Sequence, residues 1–132
     1  MGLVLDTDVI IRAERSAAPL DFNRWASYGN AYISAITVSE LLIGVYRADS
    51  EARQLRRSTF VEAILARVPA LPFTGEVART HAGIVAALAR QGALIGAHDL
   101  IIASTALSHG YALLTFNVNE FERVPGLELA SF

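Results

Sequence analysis

Four short segments of this chain place an acidic or amide side chain where an apolar run meets the start of a predicted helix. They carry Asp6, Glu40, Asp99 and the pair Asn117 and Glu120. A charged group beside an apolar core must be paired, hydrogen-bonded or bound to a cation, because its desolvation is costly. If the fold gathers these side chains, their oxygen atoms suit a divalent cation such as Mg²⁺ or Mn²⁺. The pattern therefore predicts a metal-dependent enzyme that acts on phosphates.

Taken singly, the same side chains also fit structural roles at helix N-termini. Thr37 and Glu40 have the spacing of a capping box, in which the glutamate accepts a hydrogen bond from a backbone N–H. Asp99 precedes an apolar run as an N-cap residue does, and Asn117 with Glu120 repeats that pattern. The four segments together favour metal binding, because caps alone do not need such apolar flanks. One carboxylate can also serve both roles in different states.

The apolar runs around these side chains predict strands that alternate with helices. The predicted strands are LVL before Asp6, 32–33, the segment between Pro69 and Pro72, 111–115, and LELA at 127–130. The predicted helices cover 7–15, 19–28, 38–47, 50–67, 75–91 and 100–108. Such alternation predicts an α/β fold with a central, mainly parallel sheet flanked by helices. No repeat or linker interrupts the pattern, so residues 1–132 are predicted to form a single domain.

This topology gives a reason for the acidic side chains to meet. Ligands of open α/β sheets bind outside the carboxyl ends of the strands. Asp6 directly follows the first strand, and Asn117 lies two residues beyond the 111–115 strand. If those strands are neighbours, both side chains lie at one edge of the sheet. Glu40 and Asp99 begin helices that can point to the same edge, and a cation there would offset the repulsion between carboxylates.

Composition sets the broad class of the protein. The 132 residues fit one domain with one core. Hydrophobic residues make up 53% of the chain, yet no apolar run reaches the roughly 18 residues of a membrane span. The start has no basic segment typical of a signal peptide, and there are no cysteines for disulfides or zinc. We therefore expect a cytoplasmic protein, and the apolar excess predicts a surface covered by a partner.

The charged residues add a weaker indication of a nucleic-acid substrate. The net charge of −2 argues against a strongly basic nucleic-acid surface. Arg12, Arg15 and Arg47 lie about two helical turns past acidic positions, and are predicted to contact a polynucleotide backbone. The three histidines lack a metal-binding spacing, and neither a nucleophile elbow nor a phosphate-binding glycine loop is present.

Four segments, taken together and in order, resemble the motifs of the PIN-domain ribonucleases, most closely the VapC toxins of prokaryotic toxin–antitoxin systems. The segments are LVLDTDVII, ISAITVSELLIGVYRA, IGAHDLIIASTAL and LLTFNVNEFERVPGLEL. The resemblance spans nearly the whole chain. It departs from the family pattern at Asp8, where asparagine is usual, and at Asn117, where aspartate is usual.

The resemblance implies a PIN fold and a Mg²⁺- or Mn²⁺-dependent endoribonuclease, in which a metal-activated water attacks the RNA phosphodiester. Asp6 and Asp99 match the acids that hold metal most consistently, and Glu40 matches the third acid. Asn117 stands at the fourth catalytic position and supplies an uncharged oxygen. Glu120, one turn further on, is the alternative fourth metal ligand.

The resemblance also implies partners. VapC-like toxins are inhibited by a VapB-like antitoxin, whose C-terminal segment lies in an apolar groove and blocks the acidic site. They also tend to form homodimers. The helices on either side of Glu40 are the expected groove walls. Two alternatives stay open at this stage: an inactive PIN domain that only binds an antitoxin, and a PIN nuclease of RNA processing.

Overall fold

The four strands form a parallel sheet with the N-terminal strand near its middle. In the computed structural model, which describes residues 1–16 and 21–132, the strand order is β3-β2-β1-β4. The strands are β1 (Gly2–Leu5), β2 (Asn30–Ser34), β3 (Ala70–Leu71) and β4 (Ala112–Leu114). All pairings are parallel, and Leu3 of β1 faces Ala31 of β2 and Ala112 of β4. The predicted parallel α/β architecture is confirmed.

Helices cover both faces of this sheet. They are α1 (Thr7–Ser16), a 3₁₀ helix (Phe22–Tyr28), α2 (Ala35–Tyr46), α3 (Glu51–Arg67), α4 (Gly75–Arg90), α5 (Ala97–His109) and α6 (Val118–Phe121). Leu3 and Leu5 pack into a core with α1, α2 and α3, whereas Val4 packs into a second core with α4 and α5. Successive side chains of a strand point to opposite faces, so β1 must be apolar throughout. Within the described residues, no helix is long and apolar enough to cross a membrane.

Two predicted elements differ from the structure. The LELA segment forms no strand; it contributes one bridge, in which Leu129 pairs with Leu113. The predicted helix 19–28 appears as the 3₁₀ helix Phe22–Tyr28, which is kinked at Trp25, and its predicted start at Pro19 lies outside the described residues.

The caps predicted for α2 and α5 are also wrong, because these two helices begin three residues earlier than expected. Ser34 is the N-cap of α2, and its hydroxyl accepts a hydrogen bond from the Ile36 N–H at 3.3 Å. Gly96 precedes α5 as its N-cap. Glu40 therefore lies in the second turn of α2, and Asp99 lies in the first turn of α5 rather than at its cap.

Candidate active site

The pairing of β1 with β4 places Asp6 beside Thr115. Leu5 faces Leu114, so the next residue of each strand lies at the carboxyl edge of the sheet. The Asp6 N–H donates to the Leu114 carbonyl at 2.9 Å. The Thr115 hydroxyl donates to Asp6 Oδ2 at 2.7 Å, and both side chains are buried. The Thr115 hydroxyl thus gives the buried Asp6 carboxylate a short hydrogen bond inside the core.

Asp8 joins the same edge from the first turn of α1. Its Oδ2 accepts a hydrogen bond from the Phe116 backbone N–H at 3.2 Å, and lies 3.4 Å from the Thr115 hydroxyl. Because that hydroxyl has one proton, its shorter contact with Asp6 is the stronger one. The Thr115 oxygen also accepts from the Asn117 N–H at 2.9 Å, so one threonine connects three site residues.

Glu40 reaches the site from α2. The Thr7 hydroxyl donates to Glu40 Oε1 at 2.8 Å, and lies 3.0 Å from the Thr37 hydroxyl. On the other oxygen, Oε2, His98 Nδ1 approaches to 3.4 Å. His98 adjoins Asp99 in sequence, but its ring contacts Glu40.

The fourth corner of the site contains Asp99, Asn117 and Glu120. The Asn117 amide donates to Glu120 Oε2 at 3.0 Å, and makes no capping hydrogen bond to α6. Burial is the main cause that raises the pKa of Asp99, and the charge of Glu120 and its contact with Asp99 are the next causes. Asn117 therefore orients Glu120, and Glu120 is the group that reaches Asp99.

The carboxylates of this site disfavour one another's charge. Burial is the main reason that the pKa of Asp6 rises from 3.8 to about 7; the Thr115 hydrogen bond lowers it, and the charges of Asp8 and Asp99 raise it. Burial also raises the pKa of Asp99 to about 6, with Glu120 as the next cause. The pKa of Asp8 is raised as well, again mainly by burial. A bound cation would reverse these shifts, because it favours the charged form.

The oxygen atoms of this site fit a hard divalent cation, although the side chains are not yet arranged to coordinate one. Within residues 1–16 and 21–132, no three acidic or histidine side chains are already positioned to hold one ion. The available donors are carboxylate and amide oxygens, which Mg²⁺ and Mn²⁺ prefer. In this structure these oxygen atoms accept hydrogen bonds from hydroxyl and amide groups. A bound metal would either displace these donors or leave them hydrogen-bonded to its ligands.

The three predicted RNA-contacting arginines are placed differently. The Arg12 guanidinium carbon lies 3.8 Å from the Phe116 ring centroid, at the border of the acidic site. Arg15 lines two depressions, one shared with Glu40 and one with Asp8. Arg47 follows the last residue of α2 as its C-cap, seven residues or about 10 Å along the helix from Glu40. The structure therefore brings Arg12 and Arg15 to the site and leaves Arg47 away from it.

Four residues of the site, Thr7, Asp8, Thr115 and Phe116, were not among the predicted functional residues. Three of them act by placing a hydrogen-bond donor on a carboxylate, a role that residue spacing does not reveal. The position of Thr115 at the end of a predicted strand is the one signal that could have indicated it.

The Thr115→Val variant should be destabilised more at pH 8 than at pH 5. At pH 8 the buried Asp6 carboxylate is ionised and loses a donor, which costs about 1–3 kcal/mol. At pH 5 the carboxyl is protonated, so the loss is smaller. Urea unfolding at both pH values measures the difference.

Thr105→Val is the matched control. The buried Thr105 hydroxyl donates to the Ile101 carbonyl at 2.8 Å, which does not titrate. Its effect on the free energy of unfolding should be equal at the two pH values. Equal effects for Thr115→Val would contradict the role given to its hydroxyl.

Comparison with known proteins places this fold and site in one family. The PIN domain family model matches residues 3–127. Ribonuclease VapC1 of Rickettsia felis is 44% identical over 129 residues, covering 98% of this chain and 95% of that protein. The tRNA(fMet)-specific endonuclease VapC of Shigella flexneri is 35% identical over 129 residues, with 96% and 95% covered. The chain belongs to the PIN-domain family and, within it, to the VapC ribonucleases.

Solved structures agree with this assignment. VapBC2 from Rickettsia felis, bound to a DNA fragment from its promoter, superposes with a TM-score of 0.88 at 26% identity, covering 100% of this chain and 99% of that chain. DNA-bound VapBC from Salmonella typhimurium has a TM-score of 0.85 at 32% identity, with 98% and 97% covered. The resemblance predicted from the four sequence segments is confirmed.

Proposed function

We propose that this chain is the toxin of a type II toxin–antitoxin pair, an endoribonuclease whose cleavage depends on Mg²⁺ or Mn²⁺ held by Asp6, Asp99 and Glu40. The observation that carries the metal requirement is the convergence of carboxylates from three elements at one edge of the sheet. Burial and mutual repulsion raise the pKa of Asp6 to about 7 and that of Asp99 to about 6. A bound divalent cation would compensate this repulsion, and the same carboxylates would be its ligands.

The side chains divide the work of hydrolysis. A bound divalent ion supplies a water of lowered pKa and stabilises charge on the phosphate. Asp6 and Asp99, once ionised, would hold the ion, and the Thr115 hydroxyl hydrogen-bonds to Asp6 at 2.7 Å and so keeps it in place. Glu40 is fixed by Thr7 through Oε1 at 2.8 Å. Glu40 would therefore present its carboxylate to the ion in an orientation that Thr7 already fixes.

Glu120 takes the place of the carboxylate that the family usually has at the position of Asn117. Its influence on the pKa of Asp99, second only to burial, supports a position close to that metal-binding group. The Asn117 amide donates to Glu120 Oε2 and so acts on its orientation. The fourth oxygen ligand is then a carboxylate supplied from one turn further along the chain.

The antitoxin site that we propose is an apolar groove between α1, α2 and α3. The groove has a volume of roughly 110 Å³, and its apolar walls include Ile10, Leu41 and Phe60. Glu40 and Arg15 also line it, so a bound segment would reach the acidic site directly. Relatives of this fold have been solved as VapBC complexes, which supports a VapB-like partner. A homodimer remains a prediction.

The test is to purify the chain free of any partner and add Mg²⁺ or Mn²⁺ to total RNA. Specific cleaved ends should appear with metal, vanish with a chelator, and be absent for Asp6→Ala. Expression of the active protein should arrest growth, and a co-expressed antitoxin should restore it. Absence of cleavage under all these conditions would instead support an inactive binding module.

Glu120→Gln should raise the Mg²⁺ concentration needed for half-maximal cleavage by about tenfold. The variant removes a charged ligand, and it also lowers the pKa of Asp99, since Glu120 is the next cause of that shift after burial. The exposed Glu122, two residues on, gives the control Glu122→Gln, which should behave as wild type. If Asn117→Ala raises the metal requirement and Glu120→Gln does not, the amide is the ligand.

A further inference from the structure

An exposed aromatic ring borders the acidic site, and nothing in the proposed hydrolysis uses it. Phe116 follows Thr115 directly, and its backbone N–H donates to Asp8 at 3.2 Å. Its side chain nevertheless remains 37% exposed. Exposed apolar side chains are common on protein surfaces, so the feature that distinguishes this ring is its position beside the acidic site.

The two faces of the Phe116 ring have different neighbours. The Phe132 ring stacks on it with a centroid distance of 4.2 Å and an interplanar angle of 11°. The Arg12 guanidinium carbon lies 3.8 Å from the same centroid. Groups this close cannot share one face, so Phe116 lies between them. One face is covered by a ring and the other by a long, exposed, flexible side chain.

Phe132 is itself supported from behind. Its ring makes an edge-to-face contact with Trp25 at 5.6 Å and 86°. The Trp25 indole N–H donates to the Ser131 carbonyl at 2.9 Å, and Trp25 is buried. The plane of Phe116 is therefore fixed by a chain of aromatic contacts that leads back to the core, and a flat ligand would find a pre-oriented surface.

The Arg12 side of Phe116 opens into a surface depression of roughly 650 Å³. It is lined by Asp8, Ile11, Arg12, Arg15, Ser16 and Phe116. This depression therefore combines an aromatic face, two guanidinium groups and the carboxylate of Asp8 at the edge of the acidic site. Sites for single-stranded nucleic acid combine aromatic platforms for the bases with cations for the backbone.

We propose that a nucleobase adjacent to the cleaved bond of the RNA inserts between Phe116 and Arg12. The base stacks on the Phe116 face that Arg12 covers in this structure. Arg12 moves to the other face of the base or to a neighbouring phosphate, both of which suit a planar guanidinium. This inference rests on the proposed function, because it positions the substrate of that same acidic site. Stacking tolerates any base, so it fixes the register of the strand and leaves base identity to other contacts.

Metal-free binding tests the stack without any cleavage. The probes are single-stranded oligoribonucleotides that carry 2-aminopurine at each position in turn, added to the protein in excess chelator. Stacking quenches 2-aminopurine fluorescence, so wild type should quench it at one position. Phe116→Leu keeps an apolar side chain without the ring, and should lose this quenching and bind about tenfold more weakly. Phe116→Trp should retain both.

Tyr46→Leu is the matched control. Tyr46 is 80% exposed and ends α2, about 16 Å along the helix from its start at the carboxyl edge of the sheet. This variant should quench and bind as wild type does. Thermal unfolding of every variant confirms that each is folded before binding is compared. Quenching by Phe116→Leu that equals wild type, or no quenching by wild type at any position, overturns the proposal.

Cleavage with Mg²⁺ separates this inference from the proposed function. If wild type cleaves RNA, Phe116→Leu should raise KM about tenfold with little change in kcat, because the stack holds the substrate and touches no reacting atom. Unchanged KM in an active enzyme overturns the stack alone. If wild type cleaves no RNA but its binding still depends on Phe116, the stack is supported and the nuclease proposal fails.

Discussion

Asp99→Asn should lose at least about 100-fold of its RNA cleavage while remaining folded. The substitution keeps the shape of the side chain but removes a charged metal ligand. It also removes a charge that burial and Glu120 make costly, since together they raise the pKa of Asp99 to about 6. The variant should therefore be more stable than wild type near pH 8 without metal, by about 1 kcal/mol after allowance for solvent screening.

Cleavage rates and urea unfolding curves measure both effects. Glu62→Gln, an exposed substitution on α3, removes one negative charge away from the site and should change neither quantity. Wild-type activity in Asp99→Asn would remove Asp99 from the catalytic machinery. Loss of activity together with loss of stability would indicate a structural role instead.

The second large effect is a stability that falls as pH rises. The pKa of Asp6 is about 7 and that of Asp99 about 6, both far above 3.8, the value that we take for the unfolded chain. Between pH 4 and 7 the folded protein therefore binds more protons than the unfolded chain does. Stability from these groups is fully present below pH 4 and is lost as pH rises through 6 and 7. From pH 5 to 8 we expect a loss on the order of 2–4 kcal/mol in metal-free protein.

Mg²⁺ should oppose this loss, because it binds the ionised carboxylates. Mg²⁺ at 100 times its dissociation constant should add about 2.7 kcal/mol to the free energy of unfolding at pH 8, and much less at pH 5. Chemical unfolding across this pH range, with and without Mg²⁺, gives the two curves. Asp6→Asn should flatten the metal-free curve and remove most of the Mg²⁺ effect. A wild-type protein equally stable at pH 5 and 8 without metal would contradict the proposed electrostatics.

Sequence patterns predicted the sheet and the edge at which the acids meet, because both follow from strand order. Asp6 directly follows one apolar strand, and Asn117 lies two residues beyond another. Because these two strands are parallel neighbours, both positions lie at the same edge of the sheet. The capping role predicted for Glu40 is wrong for a local reason. The Ser34 hydroxyl binds the Ile36 N–H, so α2 starts before the Thr37 to Glu40 spacing begins.

Contacts between side chains were beyond prediction from spacing. The proposal that Asn117 orients Glu120 depends on the 3.0 Å hydrogen bond from the amide to the carboxylate. That bond requires one particular rotamer of each side chain. Arg47 was expected to contact RNA, but it caps the end of α2 that is remote from the acids. The stack of Arg12, Phe116 and Phe132 joins three distant parts of the chain and leaves no periodic signal.

The hydrogen bond between Thr115 and Asp6 joins residues 109 positions apart. Ribosomes build the chain from its N-terminus, so Asp6 is made long before its partner strand β4 exists. Pairing so distant in sequence forms late, because the loop between the strands must close first. A nascent chain shorter than about 115 residues therefore lacks both β4 and Thr115, and the arrangement of Asp6 described above cannot form before that point in translation.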